Sequence, residues 1–512
     1  MKALFRMSAC VGLIVCIACG GSSTPTPPPP PPPSSGELAL TISGLPAGTN
    51  ASVTVTGPGN FNQVVSATQT LTGLAPGNYA VTANNVTRAP YSYGVTVTGS
   101  PATVSTSAGA SATVSYAAAT GAIQLNITGT PAGTNSNVTV TGPGGFNQTV
   151  TGSQVLGTLV PGTYSITASE VRASGNIVDQ VYAGTGGSAA VAAGATATGA
   201  ITYSLVPGTG KLWVALSGGA IVGYDNSQLA SSGAPTPSVT LTTNQIDEAV
   251  VFDRAHNAWT VDFTGTLSRF TASQLASSAS VTPTVMISSP SLVNPLGMAF
   301  DASNNAWVAN VIEHTLVQFT PAQLASSGDP TANVRISATG GSLTNPAVPA
   351  FDRAGNLWVP SQGNDTVVMF APALLSSSGS PAPTVILSGA SLNHPVGLAF
   401  DSANNLWVSN YVGNTVVMFT AAQRAMTGSP EPTVILTVPE FDSPSCLAFD
   451  NGGNLWVVNA GSAVLQKFTP AQIASSGSPS ANTTITGLGT ILPSTLAWCS
   501  FSPAPAAVPL FQ

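Results

Sequence analysis

PVGLAFDSANNLWVSNYVGNTVVMFTAAQ, from Pro395 to Gln423, holds three short runs of apolar and β-branched residues, and PTVIL follows at Pro432–Leu436. Asp, Asn, Gly and Pro separate the runs, so the segment reads as four antiparallel strands, a to d, in a meander. The strand-b phrase recurs around Trp213, Trp259, Trp307, Trp358, Trp407 and Trp456, at intervals of 46 to 51 residues. A repeat of that length, with four strands in each copy, is the signature of a β-propeller. Six phrases predict six blades.

Working outward, the strand-a phrase recurs at Pro295, Pro346, Pro395 and Pro444, each time ending in AFD, and in degraded form before Phe252-Asp253. The first repeat lacks it. One unmatched copy, PSTLAW, stands at Pro493–Trp498, with Trp498 where Phe400 stands in its own repeat. The C-terminal strand is therefore expected to complete the first blade and remove both free sheet edges. The repeated Trp and Phe residues are expected to fill the space between sheets. The Asp of each AFD suits a turn whose backbone amides it can bond. FTPAQLASSGDP from Phe319 reads as a capping box (Thr320, Gln323) ahead of a one- or two-turn helix between strands c and d, with Gly328 at its end.

The chain opens differently. Lys2 and Arg6 precede an apolar run from Ala9 to Ala18, the pattern of a secretory signal, and the run is too short to span a bilayer comfortably. Seven consecutive prolines, Pro27–Pro33, predict an extended spacer. Leu40–Gln63 (LTISGLPAGTNASVTVTGPGNFNQ) returns as Leu125–Gln148 (LNITGTPAGTNSNVTVTGPGGFNQ), and LAPGNY at Leu74–Tyr79 returns as LVPGTY at Leu159–Tyr164. Alternating Val/Thr runs with Gly/Pro turns argue for two small antiparallel β-sandwiches. The expected architecture is thus all-β: a signal over 1–18, a spacer over 19–36, sandwich repeats over 37–119 and 120–204, and a six-bladed propeller over 205–512.

Charged residues make up 6% of the chain and the net charge is -7, with no basic cluster, which argues against nucleic-acid binding. A monomer is expected. Beyond the signal and Cys19, two cysteines remain, Cys446 and Cys499. Aligning their strands on Pro444 and Pro493 offsets them by four residues, about 13 Å along a strand, so two free thiols are expected.

In such a meander the start of strand a and the end of strand b share a face. That face carries Asn294, Asn345, His394 and Ser443 before strand a, and Asp262, Asn310, Ser361, Asn410 and Asn459 after strand b. Glu248 starts strand a of the second repeat, and Glu313 and His314 lie in a loop on the same side. Glu248, Asp262, Asn294, Asn310, Asn345, His394, Asn410 and Asn459 are the candidate binding residues. Ringed oxygens could hold a hard cation such as Ca²⁺, whereas Asn and Ser could equally close turns. No nucleophile motif accompanies the only histidines, His256, His314 and His394.

Three resemblances add to this reading. The small residue before Cys19 at the end of the apolar run is similar to the bacterial lipobox, which implies lipidation of Cys19 and a membrane held through that anchor alone. The Pro-Gly-x-Tyr repeats resemble bacterial Ig-like, PEGA-like and prealbumin-like modules, which implies a stalk. PVGLAFDSANNLWVSN and NTVVMF resemble NHL-repeat propellers. Related propellers include lactonase-like hydrolases with a channel metal and streptogramin-lyase-like enzymes using His and Glu. No complete set of that kind maps onto this chain. The expectation is an exported, lipid-anchored protein of the bacterial cell envelope that binds a protein or glycan and needs no cofactor. A metal-dependent propeller hydrolase or lyase is the alternative.

Overall fold

The computed structural model describes residues 35–173, 177–243, 247–488 and 498–502, without the side chains at 247 and 248. The signal, Cys19, the proline run and Pro493 lie outside them. The molecule is all-β. One compact unit runs to Gly121 and takes in Gly157–Leu159; the second comprises Ala122–Leu156 and the chain from Val160 onward.

In the first unit, strands Gln69–Leu74, Gly36–Ser43, Ala110–Ala118, Tyr91–Thr98 and Val86–Arg88 form one sheet in that order. Phe61–Val65, Val53–Gly57, Gly77–Ala83 and Ala102–Val104 form another. Alternate residues point inward, and Leu38, Val53, Val55, Tyr79 and Val114 from both sheets meet in a single core. Gly36–Ser43 pairs with Ala110–Ala118 in parallel, an exception to the antiparallel expectation. The Tyr79 hydroxyl donates to the Ala75 carbonyl at 3.1 Å, and in the second copy Tyr164 donates to Val160 at 3.0 Å. That bond explains the repeated Pro-Gly-x-Tyr. Gly57 belongs to the same corner: a Cβ there would stand 2.4 Å from the Tyr79 ring. The second copy repeats the same strand order over 121–205.

From Lys211 onward the chain forms six curled, propeller-like sheets. Sheet 3 is typical: Pro295–Phe300, Ala306–Asn310, Thr315–Phe319 and Val334–Ser337 pair in sequence order. Sheets 2, 4, 5 and 6 begin at Asp247, Ala350, Pro395 and Pro444 and follow the same order. In sheet 1, Lys211–Leu216, Ala220–Asp225 and Val239–Thr242 are joined on the inner side by Cys499–Ser502. Leu212 pairs with Phe501, and Trp213 with Ser500.

Indole and phenyl rings fill the gaps between sheets, as expected. Trp213–Phe252, Trp259–Phe300, Trp358–Phe400 and Trp407–Phe449 have centroids 5.8 to 6.3 Å apart. The six repeat tryptophans are all at most 2% exposed. The Asp of each AFD accepts turn amides, and its second oxygen also takes the indole N–H of the strand-b tryptophan. For Asp253–Trp259 and Asp450–Trp456 the distance is 2.9 Å.

The capping box is present as well. The Thr320 amide donates to Gln323 Oε1 at 2.9 Å, and the chain makes one turn there; sheets 2, 4 and 5 likewise carry single 3-10 turns, the shorter of the one or two turns expected. The reason is Gln323 itself, whose Nε2 reaches over to the Thr331 carbonyl at 2.7 Å and turns the chain into strand d. Gly328, read as a helix end, instead bridges Ile287 in strand d of the preceding sheet. Ile336–Gly379, Leu387–Gly428 and Leu436–Gly477 repeat the contact, and Ile485–Gly233 carries it from the last sheet to the first.

Two expectations are corrected. Phe501, not Trp498, takes the position of Phe400, because Phe501 lies opposite Leu212 as Phe400 lies opposite Leu406. That register shifts Cys499 as well. Cys499 pairs with Val214, the place Leu447 holds against Val457, so Cys446 and Cys499 are one strand position apart and not four. They form a disulfide with Cα atoms 5.8 Å apart, where free thiols were expected.

Candidate functional site

The first residue of strand a and the last of strand b do share a face. Pro295 pairs with Asn310, Pro395 with Asn410 and Pro444 with Asn459. The structure divides the sequence candidates on this face into two groups.

Those at the end of strand b are buried and occupied. Asn410 is fully buried; its Oδ1 accepts the Asn393 amide at 3.1 Å, and its Nδ2 donates to the Ser391 carbonyl and Thr415 Oγ1, both at 2.8 Å. Asn310 makes the same three bonds to Val293, Ser291 and Thr315. Asn459 accepts from the Asp442 amide and donates to Gln466. Ser361 Oγ bonds both backbone atoms of Thr344. Asp262, 7% exposed, gathers the amides of Thr264 and Thr266. The three asparagines and Ser361 brace the loop that leads into strand a, whereas Asp262 closes the turn between strands b and c. The oxygens that a ringed Ca²⁺ would need already accept backbone N–H groups, so these residues do not fit such an ion. Among the described residues no three of His, Cys, Asp and Glu come together as a metal-holding group.

The residues before strand a are half-buried and keep a polar surface. Asn294, Asn345, His394 and Ser443 all have φ between 48° and 56°. This left-handed conformation favours Asn, which accounts for two of the four. For three of them the backbone N–H is captured by the preceding sheet. Asn345 donates to His314 Nδ1 at 2.9 Å, His394 to Asp365 Oδ1 at 2.6 Å and Ser443 to Asn414 Oδ1 at 2.8 Å. The acceptors are themselves left-handed. Each stands directly before the Thr that opens strand c, a signal present in the sequence and overlooked. Glu248 lies in the first strand of sheet 2, and its side chain is outside the described residues.

His394 is the most distinctive of these groups. Its ring centre lies 6.1 Å from that of Tyr411. Burial pushes its pKa down from the ordinary histidine range, against the opposing pull of Asp365. Tyr411 also borders an apolar cluster of Leu296 and Val396 from sheets 3 and 5 and Ala347 from the segment leading into sheet 4, with Val311 beside it. On the turns that follow strand b in sheets 2, 3 and 5 stand three exposed apolar side chains: Phe263 (38%), Ile312 (59%) and Val412 (60%). Composition-based reading passed over them because they lie among turn residues. The other histidines are engaged too. His314 accepts the Asn345 amide, and His256 Nε2 lies 3.1 Å from Glu170 Oε2 of the second small repeat.

No family model matches the chain, and no curated protein matches it. Among solved structures, a streptogramin B lyase is 14% identical, with 51% of this chain and 77% of that chain covered and a TM-score of 0.37. An inactive virginiamycin B lyase from Staphylococcus aureus with quinupristin is 13% identical, covering 60% and 86%, at 0.35. A protein of unknown function from Bacteroides caccae is 12% identical, covering 56% and 98%, at 0.38. At such identities the similarity concerns the path of the chain and assigns no residue a role.

Proposed function

We propose that the protein is a display module of the cell envelope. Two small β-sandwiches carry a six-bladed NHL-like propeller, and the face bearing the turns between strands b and c binds a protein or glycan. The reading of six blades in one ring is supported by the outer contact running from each sheet to the next and from the last to the first. The observation that carries the binding role is the set of exposed Phe263, Ile312 and Val412 on the face that also bears the apolar Leu296–Ala347–Val396 cluster and half-buried Asn345 and His394. Apolar side chains on turns held by a rigid scaffold are what a recognition surface presents.

The test is a retention screen of envelope proteins and polysaccharides on the immobilised protein. Changing Phe263, Ile312 and Val412 together to Ser should leave the melting temperature nearly intact and abolish retention of the captured partner. Retention unchanged by the triple variant would move the working surface elsewhere. Attachment through a lipidated Cys19 is the companion proposal, supported by the small residue before it at the end of the apolar run. Cys19→Ser should release the protein from the membrane fraction, and retention without lipid mass on the N-terminus would end the idea.

A further inference from the structure

The six sheets are not identical on the opposite face, where the turns between strands a and b lie. At one repeat position an aliphatic residue stands in five copies: Leu229, Leu275, Leu324, Leu375 and Ile473. In sheet 5 that residue is Arg424. Its side chain runs back over sheet 4 and is 7% exposed. The guanidinium carbon lies 5.2 Å from the Trp358 ring centre and 5.0 Å from that of Phe400. Nη1 donates to Asp352 Oδ2 at 3.0 Å, while Nε and Nη2 donate to the Asn404 carbonyl at 3.1 and 2.9 Å. Two aromatic rings, a carboxylate and a carbonyl thus form a complete receptor for a guanidinium, filled by the protein's own chain.

The same frame recurs between sheets 5 and 6 with its occupant missing. Asp401, Trp407, Phe449, Gly453 and Ile473 are the counterparts of Asp352, Trp358, Phe400, Asn404 and Arg424, and all five line a cleft of about 430 Å³. Asp401 is held as Asp352 is: Oδ1 takes the amides of Ala403 and Asn405, and Oδ2 takes Asn405 Nδ2 and Trp407 Nε1 at 2.8 and 3.1 Å. The arginine bond is absent, and Asp401 is correspondingly more exposed than Asp352. Gly453 has φ 72° against 63° for Asn404, so the backbone that supplies the carbonyl has the same conformation. Ile473 fills the space of the arginine stem and leaves that of the guanidinium. Among the described residues no basic side chain lines this cleft, and Asp450 adds a second carboxylate. The equivalent cleft between sheets 3 and 4 is larger, about 600 Å³, but exposed Arg353 stands in its lining and opposes a cation.

We propose that the cleft between sheets 5 and 6 is a binding subsite for a guanidinium group, with Asp401 as its anion. The group is that of an arginine side chain or of a free arginine-like molecule. This stands independently of the partner proposed for the other face.

Titration calorimetry of the whole protein with arginine amide and with the peptide Gly-Arg-Gly tests it, with citrulline amide, whose ureido side chain carries no charge, as control. Saturable binding of both cationic probes and none of the control is expected. A tenfold preference for the peptide would assign the site to protein partners, and equal affinity would assign it to the side-chain group alone. Ile473→Arg should refill the cleft as Arg424 does and abolish binding. Asp401→Asn, which keeps the side-chain shape, should weaken it at least tenfold. Absence of saturable binding in the millimolar range overturns the proposal, as does binding that survives both substitutions.

Discussion

At the scale of single residues, the repeated Asp is the joint of each sheet. Asp401 holds two backbone amides, one Asn side chain and one indole N–H, all in a half-buried corner. Asp401→Ala orphans these donors together, and leaving buried donors unpaired costs about 1–3 kcal/mol. The expected outcome is a lower urea midpoint with an unchanged slope. Asp352 adds a charge to the same geometry. Burial would raise its pKa, but bonds from Asn356 and Trp358 and the charge of Arg424 prevail and hold it below the ordinary value. A depressed folded value stabilises the native state fully above the unfolded carboxylate pKa of about 4, and that stabilisation is lost as pH falls through the folded value. Stability measured from pH 7 down to 2 should therefore fall less steeply in Asp352→Asn than in the native protein.

At the scale of elements, the disulfide joins the first strand of sheet 6 to the strand that completes sheet 1. It spans 53 residues of sequence, and closing a loop of that size restricts the unfolded chain. Cys446→Ser with Cys499→Ser should cost about 2–4 kcal/mol, seen as a lower melting temperature. Thiol labelling of the denatured, unreduced protein should find neither cysteine reactive. Labelling of both would contradict the bridge. The second element of note is the tie between the second small repeat and the propeller sheets within one compact unit. Asn226 bonds both backbone atoms of Val178, and Asn451 Nδ2 donates to Asp179 at 2.7 Å. These asparagines sit in turns that carry no special mark in the sequence.

At the scale of the whole molecule, sheet 1 depends on its last described strand. Without Cys499–Ser502 the inner edge of Lys211–Leu216 loses its partner, and an unpaired apolar edge invites association between copies. Truncation before Trp498 should produce concentration-dependent aggregation and a large loss of thermal stability, followed by light scattering on heating. A truncated protein that melts as a monomer at the native temperature would show that closure contributes little.

The sequence by itself determined the all-β character, the 46 to 51-residue repeat, the aromatic packing between sheets and the capping boxes. These follow from local periodicity and turn chemistry, which each repeat states several times over. Tertiary structure alone decided three things. The register of the closing strand, and with it the disulfide, was set by pairing with Lys211–Leu216, whereas proline alignment pointed four residues away. The ring of polar candidates was split, because Asn310 and Asn410 found loop amides to bond while Asn345 and His394 kept accessible surface. And the cleft at Asp401 became visible only beside its filled counterpart at Arg424, since a cavity is a property of what neighbouring sheets leave unfilled. Periodicity reports which residues are equivalent; it does not report which of the equivalent places is empty.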